Sequence, residues 1–232
     1  MKVACLFSGG KDSTFSLYLA KRMGLSIECL LTLIPFSPES YLFHYPNTWV
    51  TTIQSQALEI PIITKKIQSP SIDDEDGNLY NLIKIAINDY QIEGIVHGGI
   101  SSNFQRNKFY DMCKKLSLEL ISPLWEVNQY EYMNSLLNNN FLVKIVGISA
   151  MGLESKWLGI NLDSINLQIL NNLSKKYGFN LSFEGGEAET IVLDCPIFKK
   201  KLEILKSNTF WDGQRGILEI SDIILIDKVN VR

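Results

Sequence analysis

A short apolar run at residues 3–7 stops on Ser8, Gly9 and Gly10, and a helical pattern follows after Ser13. A strand that turns on glycines directly into a helix opens a β-α-β unit. The rhythm then repeats. Apolar, strand-like runs fall at 27–34, 61–67, 94–97 and 118–121. Helical patterns fall at 49–58, 79–90 and 104–116, with an acidic turn expected at 73–76 and a loop rich in Pro, Ser and aromatics at 35–47. Strands alternating with helices predict a parallel sheet with right-handed crossovers. In the first helix Phe15, Tyr18, Leu19 and Met23 are expected to share the buried face, with Gly24 as its stop.

Near Pro123 the rhythm changes. A helix is expected at 130–137, a strand at 141–148 and a helix at 163–177. Short runs follow Gly185 and Gly186, and a last strand-like run spans 216–226. The expected organisation is an α/β domain at 1–122 and a smaller α+β domain at 123–232.

The composition narrows the function classes. A formal charge of -3 and a pI near 5.5 give no general pull toward nucleic acid, so no stable nucleic-acid binding is expected. Cys5, Cys29, Cys113 and Cys195 are scattered, with no Cys-x-x-Cys pair and two histidines in the chain. That spacing argues against a disulfide framework or zinc site and fits a reducing cytoplasm. No apolar stretch reaches membrane-spanning length, and Met1 leads into a strand-like run, so no membrane association is expected.

The opening loop carries chemistry. A P-loop needs a glycine at position 5 and Ser or Thr at position 12; Cys5 and Asp12 stand there. No Gly-x-Gly-x-x-Gly dinucleotide fingerprint occurs either. What stands is strand–SGGKDS–helix, still an anion site in its physics. Gly9 and Gly10 let the backbone approach a ligand without a Cβ, ahead of a helix N-terminus. Lys11 adds a point charge, and Ser8, Ser13 and Thr14 add hydroxyl donors. Asp12 beside a phosphate implies a magnesium ion or a helix cap.

Two further constellations stand out. "FEGGEAETIVLDCPIF" begins at Phe183 and sets Glu184, Glu187 and Glu189 around Gly185 and Gly186, with Thr190 next. Carboxylates so grouped suit ammonium capture, proton removal or magnesium. "EGIVHGGISSNFQRNKFYDMCKKLSLELISPLW" begins at Glu93 and ends at Trp125; a strand stops at Gly98 and Gly99 and a helix follows with Gln105 and Arg106. In a sheet of order 3-2-1-4-5 this loop lies beside the first, at the switch point where open α/β sheets bind ligands. Arg106 is a candidate partner for a phosphate or carboxylate.

The SGGKDS element resembles the pyrophosphate loop of the N-type ATP pyrophosphatases. The EGGEAET element and the Ser-x-x-Gln-Arg pattern from Ser102 to Arg106 narrow the resemblance to the diphthine–ammonia ligase family. So do "SYLFHYPN" from Ser40, "ISAMGLESKWLG" from Ile148 and "LSKKYGFNLS" before the glutamates. Asn103 and Phe104 depart from the Asp-Tyr often found there, Gly99 from Asp or Ala, and Ala188 from Tyr.

The resemblance implies an open sheet of adenine-nucleotide α-hydrolase-like type. It also implies a reaction: ATP, ammonium and the carboxylate of diphthine, a modified histidine on translation elongation factor 2, give an amide, AMP and pyrophosphate through an acyl-adenylate. Ser8, Gly9, Gly10, Lys11, Ser13 and Thr14 would then meet the phosphates, and Asp12 would hold Mg2+. Adenine would meet backbone near Leu33. His44, Ser102, Gln105, Arg106, Gly185, Gly186 and Thr190 would line the substrate side. Three alternatives stay open on the residues alone. One is a tRNA-modifying pyrophosphatase, although thiolating members commonly use a cysteine pair that is missing here. Another is a non-catalytic nucleotide-binding module of related fold, which would not need the acidic cluster at 184–189. The third is a ligase acting on a small free carboxylate.

Overall fold

A computed structural model describes residues 1–35, 47–67 and 72–228. The chain divides into two compact units, Met1–Trp125 and Glu126–Arg232.

In the first unit, β1 (Lys2–Leu6), α1 (Lys11–Arg22), β2 (Ser26–Ile34), α2 (Val50–Leu58), β3 (Ile62–Lys66), α3 (Ile72–Tyr90), β4 (Gly94–Val96), α4 (Asn103–Lys115) and β5 (Glu119–Ile121) follow in order. All strand pairs are parallel, in the order β3-β2-β1-β4-β5. The chain reverses direction of winding at β1, so the carboxyl ends of β1 and β4 form the switch point. Alternation along the strands divides the core. Ala4, Leu6, Leu31, Leu33 and Ile95 pack with Leu79, Leu82 and Ile83 of α3 and Phe109, Met112 and Cys113 of α4. Cys5 alternates to the other face, where its Sγ lies 3.9 Å from the Ser13 carbonyl of α1.

Two expectations for this unit are corrected. The buried face of α1 is Ser13, Ser16, Leu17 and Ala20 with Thr14 and Phe15, while Met23 is 62% exposed. Small residues at this spacing let α1 lie close on β1, β2 and β4, and close approach outweighs the larger apolar side chains. The acidic run at 73–76 is the first turn of α3 and not a turn before it. The carboxylates of Asp74, Glu75 and Asp76 lie near the positive end of the helix dipole.

In the second unit, α5 (Gln129–Asn138), β6 (Leu142–Ile148), α6 (Ser164–Tyr177), β7 (Ala188–Asp194), β8 (Lys200–Trp211) and β9 (Gly216–Asp227) build an antiparallel sheet of order β7-β6-β9-β8. Asn128 caps α5 through its side chain, Asp163 caps α6, and Gly178 ends α6 at a φ of 78°. The short runs expected after Gly186 are in fact β7 and the long strand β8, which pairs with the expected last strand, β9, as one hairpin arm. Beyond Ile204 the edge strand β8 is exposed on both faces, so its sequence carries no buried alternation.

Candidate active site

The SGGKDS stretch leaves the end of β1 and closes on the first turn of α1. Ser8 N–H donates to Ser13 Oγ at 3.2 Å, and the two hydroxyl oxygens lie 3.1 Å apart. The Gly10 carbonyl accepts from Thr14 N–H at 3.1 Å, Thr14 Oγ1 at 2.8 Å and Ser13 Oγ at 3.2 Å. Ser13 and Thr14 thus knit the first turn of α1, whose N-cap Gly10 brings no side chain to cover the helix end. Lys11 is 1% exposed, and its ammonium touches both Asp12 carboxylate oxygens at 3.0 and 2.9 Å. A buried cation and one carboxylate therefore stand together at a helix N-terminus.

Residues that the sequence did not mark hold this loop from outside. Thr32 Oγ1 donates to the Phe7 carbonyl at 2.5 Å, and Gln54 Nε2 donates to the Gly9 carbonyl at 2.9 Å. A Cβ on Gly98 would lie 2.9 Å from the Ser13 nitrogen and 3.0 Å from the Asp12 carbonyl carbon. Gly98 thereby brings the β4 loop against the first turn of α1. Leu33 keeps its side chain in the core. Leu30 and Ile34 bond toward β3, and Leu31 bonds toward β1. Alternation turns the Leu33 amide and carbonyl to the β1 side, past the last β1 residue, Leu6, which pairs with Leu31.

Ser102 is the N-cap of α4, its hydroxyl accepting from Gln105 N–H at 3.4 Å. Gln105 is half-buried and Arg106 exposed. The guanidinium of Arg106 lies 4.3 Å from the ring centroid of Trp125, a cation–π contact. His44 lies outside the described residues.

The three glutamates have different surroundings. Glu187 accepts from Gly185 N–H at 2.7 Å and from Asn180 N–H at 3.0 Å, one bond to each carboxylate oxygen. Its backbone carbonyl accepts from Ser149 N–H at 2.9 Å and Ala150 N–H at 3.2 Å, and Ser149 Oγ donates to the Gly186 carbonyl at 2.6 Å. Glu187 is thus a clasp that folds the loop onto itself and onto the end of β6. Glu184 follows Phe183, a buried residue held at a φ of 61°. Such a left-handed non-glycine backbone is costly and persists where its surroundings impose it. Glu189 faces Gly147 of β6; a Cβ on that glycine would lie 2.9 Å from Glu189 Cβ. Thr190 pairs with Ile145 in the same ladder, and Gly185 and Gly186 form the exposed turn, Gly186 at a φ of 80°. Among the described residues no three His, Cys, Asp or Glu side chains gather as a metal-holding group, and no helix is long and apolar enough to cross a membrane.

Known proteins agree on what this arrangement belongs to. Residues 1–120 match the diphthamide synthase N-terminal domain and residues 128–226 the diphthamide synthase C-terminal domain. The diphthine--ammonia ligases of Bos taurus and Homo sapiens are each 34% identical to the chain over 220 residues, covering 87% of it and 82% of theirs. The Danio rerio diphthine--ammonia ligase is 30% identical over 254 residues, covering 100% of this chain and 99% of that one. The chain belongs to the diphthine–ammonia ligase family.

Proposed function

We propose that this chain is an ATP-dependent, AMP-forming carboxylate–ammonia ligase that amidates diphthine on translation elongation factor 2 in the cytoplasm. The observation that carries the nucleotide half is the SGGKDS loop: a glycine turn at a helix N-terminus with a buried lysine beside it. Family membership carries the acceptor.

A carboxylate is a poor electrophile, and adenylation supplies the leaving group that ammonia displaces. The diphthine carboxylate attacks the α-phosphorus of ATP and pyrophosphate departs. Ammonia then attacks the acyl carbon and AMP departs. In this reading residues 1–122 bind the nucleotide and residues 123–232 carry substrate contacts. Ser8, Gly9, Gly10, Ser13 and Thr14 hold the phosphates, and Lys11 stabilises charge on the departing pyrophosphate. The backbone of Leu33 meets adenine.

Asp12 would hold magnesium in exchange for part of its contact with Lys11, because that ion is held through one or two carboxylates with phosphates and water completing its shell. When bound it supplies charge neutralisation on the phosphates. Ser102 holds the first turn of α4, Gln105 and Arg106 face an anionic substrate group, and His44 lines the substrate side. Glu184 and Glu189 capture ammonium or accept its proton. Glu187, with Gly185, Gly186 and Thr190, holds the loop that carries them.

Incubation with ATP, ammonium and diphthine-bearing elongation factor 2 tests the proposal. The expected products are AMP, pyrophosphate and a modified histidine whose mass shows carboxylate replaced by amide. ADP and orthophosphate as primary products would sink the assignment.

A further inference from the structure

We infer that Gln54 is a positioning residue of the phosphate loop: it fixes the plane of the Gly9–Gly10 peptide so that an N–H, and not a carbonyl, meets the phosphates. The inference rests on the nucleotide reading of that loop. Gln54 lies mid-way along α2, 45 residues from Gly9, and is wholly buried. Burying a side-chain amide is costly unless it is hydrogen-bonded, and an apolar residue would fill the same volume at lower cost. Thr51 and Ser55, its polar neighbours on α2, donate their hydroxyls locally to the Thr48 and Thr52 carbonyls. Gln54 reaches out of its helix to the Gly9 carbonyl at 2.9 Å.

That carbonyl has a choice that few others have. It belongs to a Gly–Gly peptide, the linkage with the least steric resistance to rotating its plane. In one orientation the carbonyl points back at α2, and the Gly10 N–H, on the opposite edge of a trans peptide, points away from it, toward the Ser8 hydroxyl at 3.4 Å, a long bond that a phosphate oxygen would replace. In the other the carbonyl oxygen points where the anion sits and repels it. Gln54 selects the first. The packing is matched to the bond: Gly9 has a φ of +77°, and a Cβ there would lie 2.1 Å from Gln54 Oε1. Thr32 does the same for the Phe7 carbonyl two residues earlier. Two donors from separate elements thus draw carbonyls away from the ligand side of the loop.

Calorimetric titration of the full chain with magnesium-ATP and with inorganic pyrophosphate tests this, using wild type, Gln54→Met and Gln54→Glu between pH 5.5 and 8.5. Gln54→Met keeps the volume and removes the donor; both ligands are expected to bind about tenfold more weakly at every pH. Gln54→Glu is expected to lose at least as much at pH 8, where an ionised carboxylate only accepts. It should regain affinity relative to wild type as pH falls, because a protonated carboxyl donates O–H to the Gly9 carbonyl. A folded Gln54→Met that binds both ligands within twofold of wild type overturns the inference, as does a folded Gln54→Glu without that recovery. If Gln54→Glu does not fold, Gln54→Met decides. Failure of wild type to bind either ligand overturns the nucleotide reading instead.

Discussion

Glu187 Oε2 accepts a hydrogen bond from the Gly185 amide two residues before it, at 2.7 Å. Its other oxygen takes the Asn180 amide. A carboxylate occupied by two backbone donors is a loop clasp before it is anything else. Glu187→Gln keeps one acceptor and turns an NH2 toward the other amide. The expected outcome is a kcat lowered about tenfold, the equivalent of one charge-assisted bond, with the ammonium concentration at half-maximal rate unchanged. Steady-state ammonium titration checks it; a half-saturation that rises in step with the rate loss would make Glu187 an ammonium ligand.

Lys11→Ala removes a buried cation from the loop. Loss of one preorganised donor to a developing anion lowers kcat by about 10²–10³. Asp12→Ala removes the carboxylate paired with that lysine and should raise the magnesium concentration needed for half-maximal rate. If both variants turn over as wild type does, the loop only connects β1 to α1.

Gly98→Ala tests the contact between the β4 loop and α1. The new methyl would meet backbone at 2.9–3.1 Å, which no side-chain rotation relieves. Overpacking of this kind costs about 1–3 kcal/mol. The first turn of α1 is the element displaced, so the KM for ATP should rise about tenfold or more while the ammonium dependence holds. An unchanged KM for ATP would show that the two loops yield independently.

The four cysteines are buried in the described structure. Burial pushes the thiols of Cys29, Cys113 and Cys195 up to about 12, and that of Cys5 higher still. At pH 8 none is a thiolate, so alkylating reagents should modify none until the chain is denatured. The same shifts set a stability trend. Above pH 9, the ordinary value, the unfolded thiols release protons that the folded ones keep. The unfolded state then binds fewer protons, and stability should fall from pH 9 toward 12. A denaturant titration series across that range checks the sign.

Much of the first unit is legible because its signals are local. Each strand of the parallel sheet is a short apolar run, and the turn from β1 into α1 writes its glycines, lysine and hydroxyls into consecutive residues. The hydrophobic pattern misleads where close packing outranks side-chain size, as in α1, where Ser13, Ser16 and Ala20 are buried and Met23 is not. It goes silent where no face is buried, as along the outer half of β8.

The sequence by itself determined the order of elements in the first unit, the parallel sheet and the residue types gathered in the SGGKDS and EGGEAET loops, because helix and strand periodicity and glycine turns act over a few residues. Tertiary structure alone decided which side chain does what. Gln54 and Thr32 reach the SGGKDS loop and the residue before it from α2 and β2, at separations of 45 and 25 residues. Glu187 closes on amides that only the folded loop brings within 3.0 Å. A hydrogen bond is specific in distance and direction, and neither is set until the elements carrying its partners have packed.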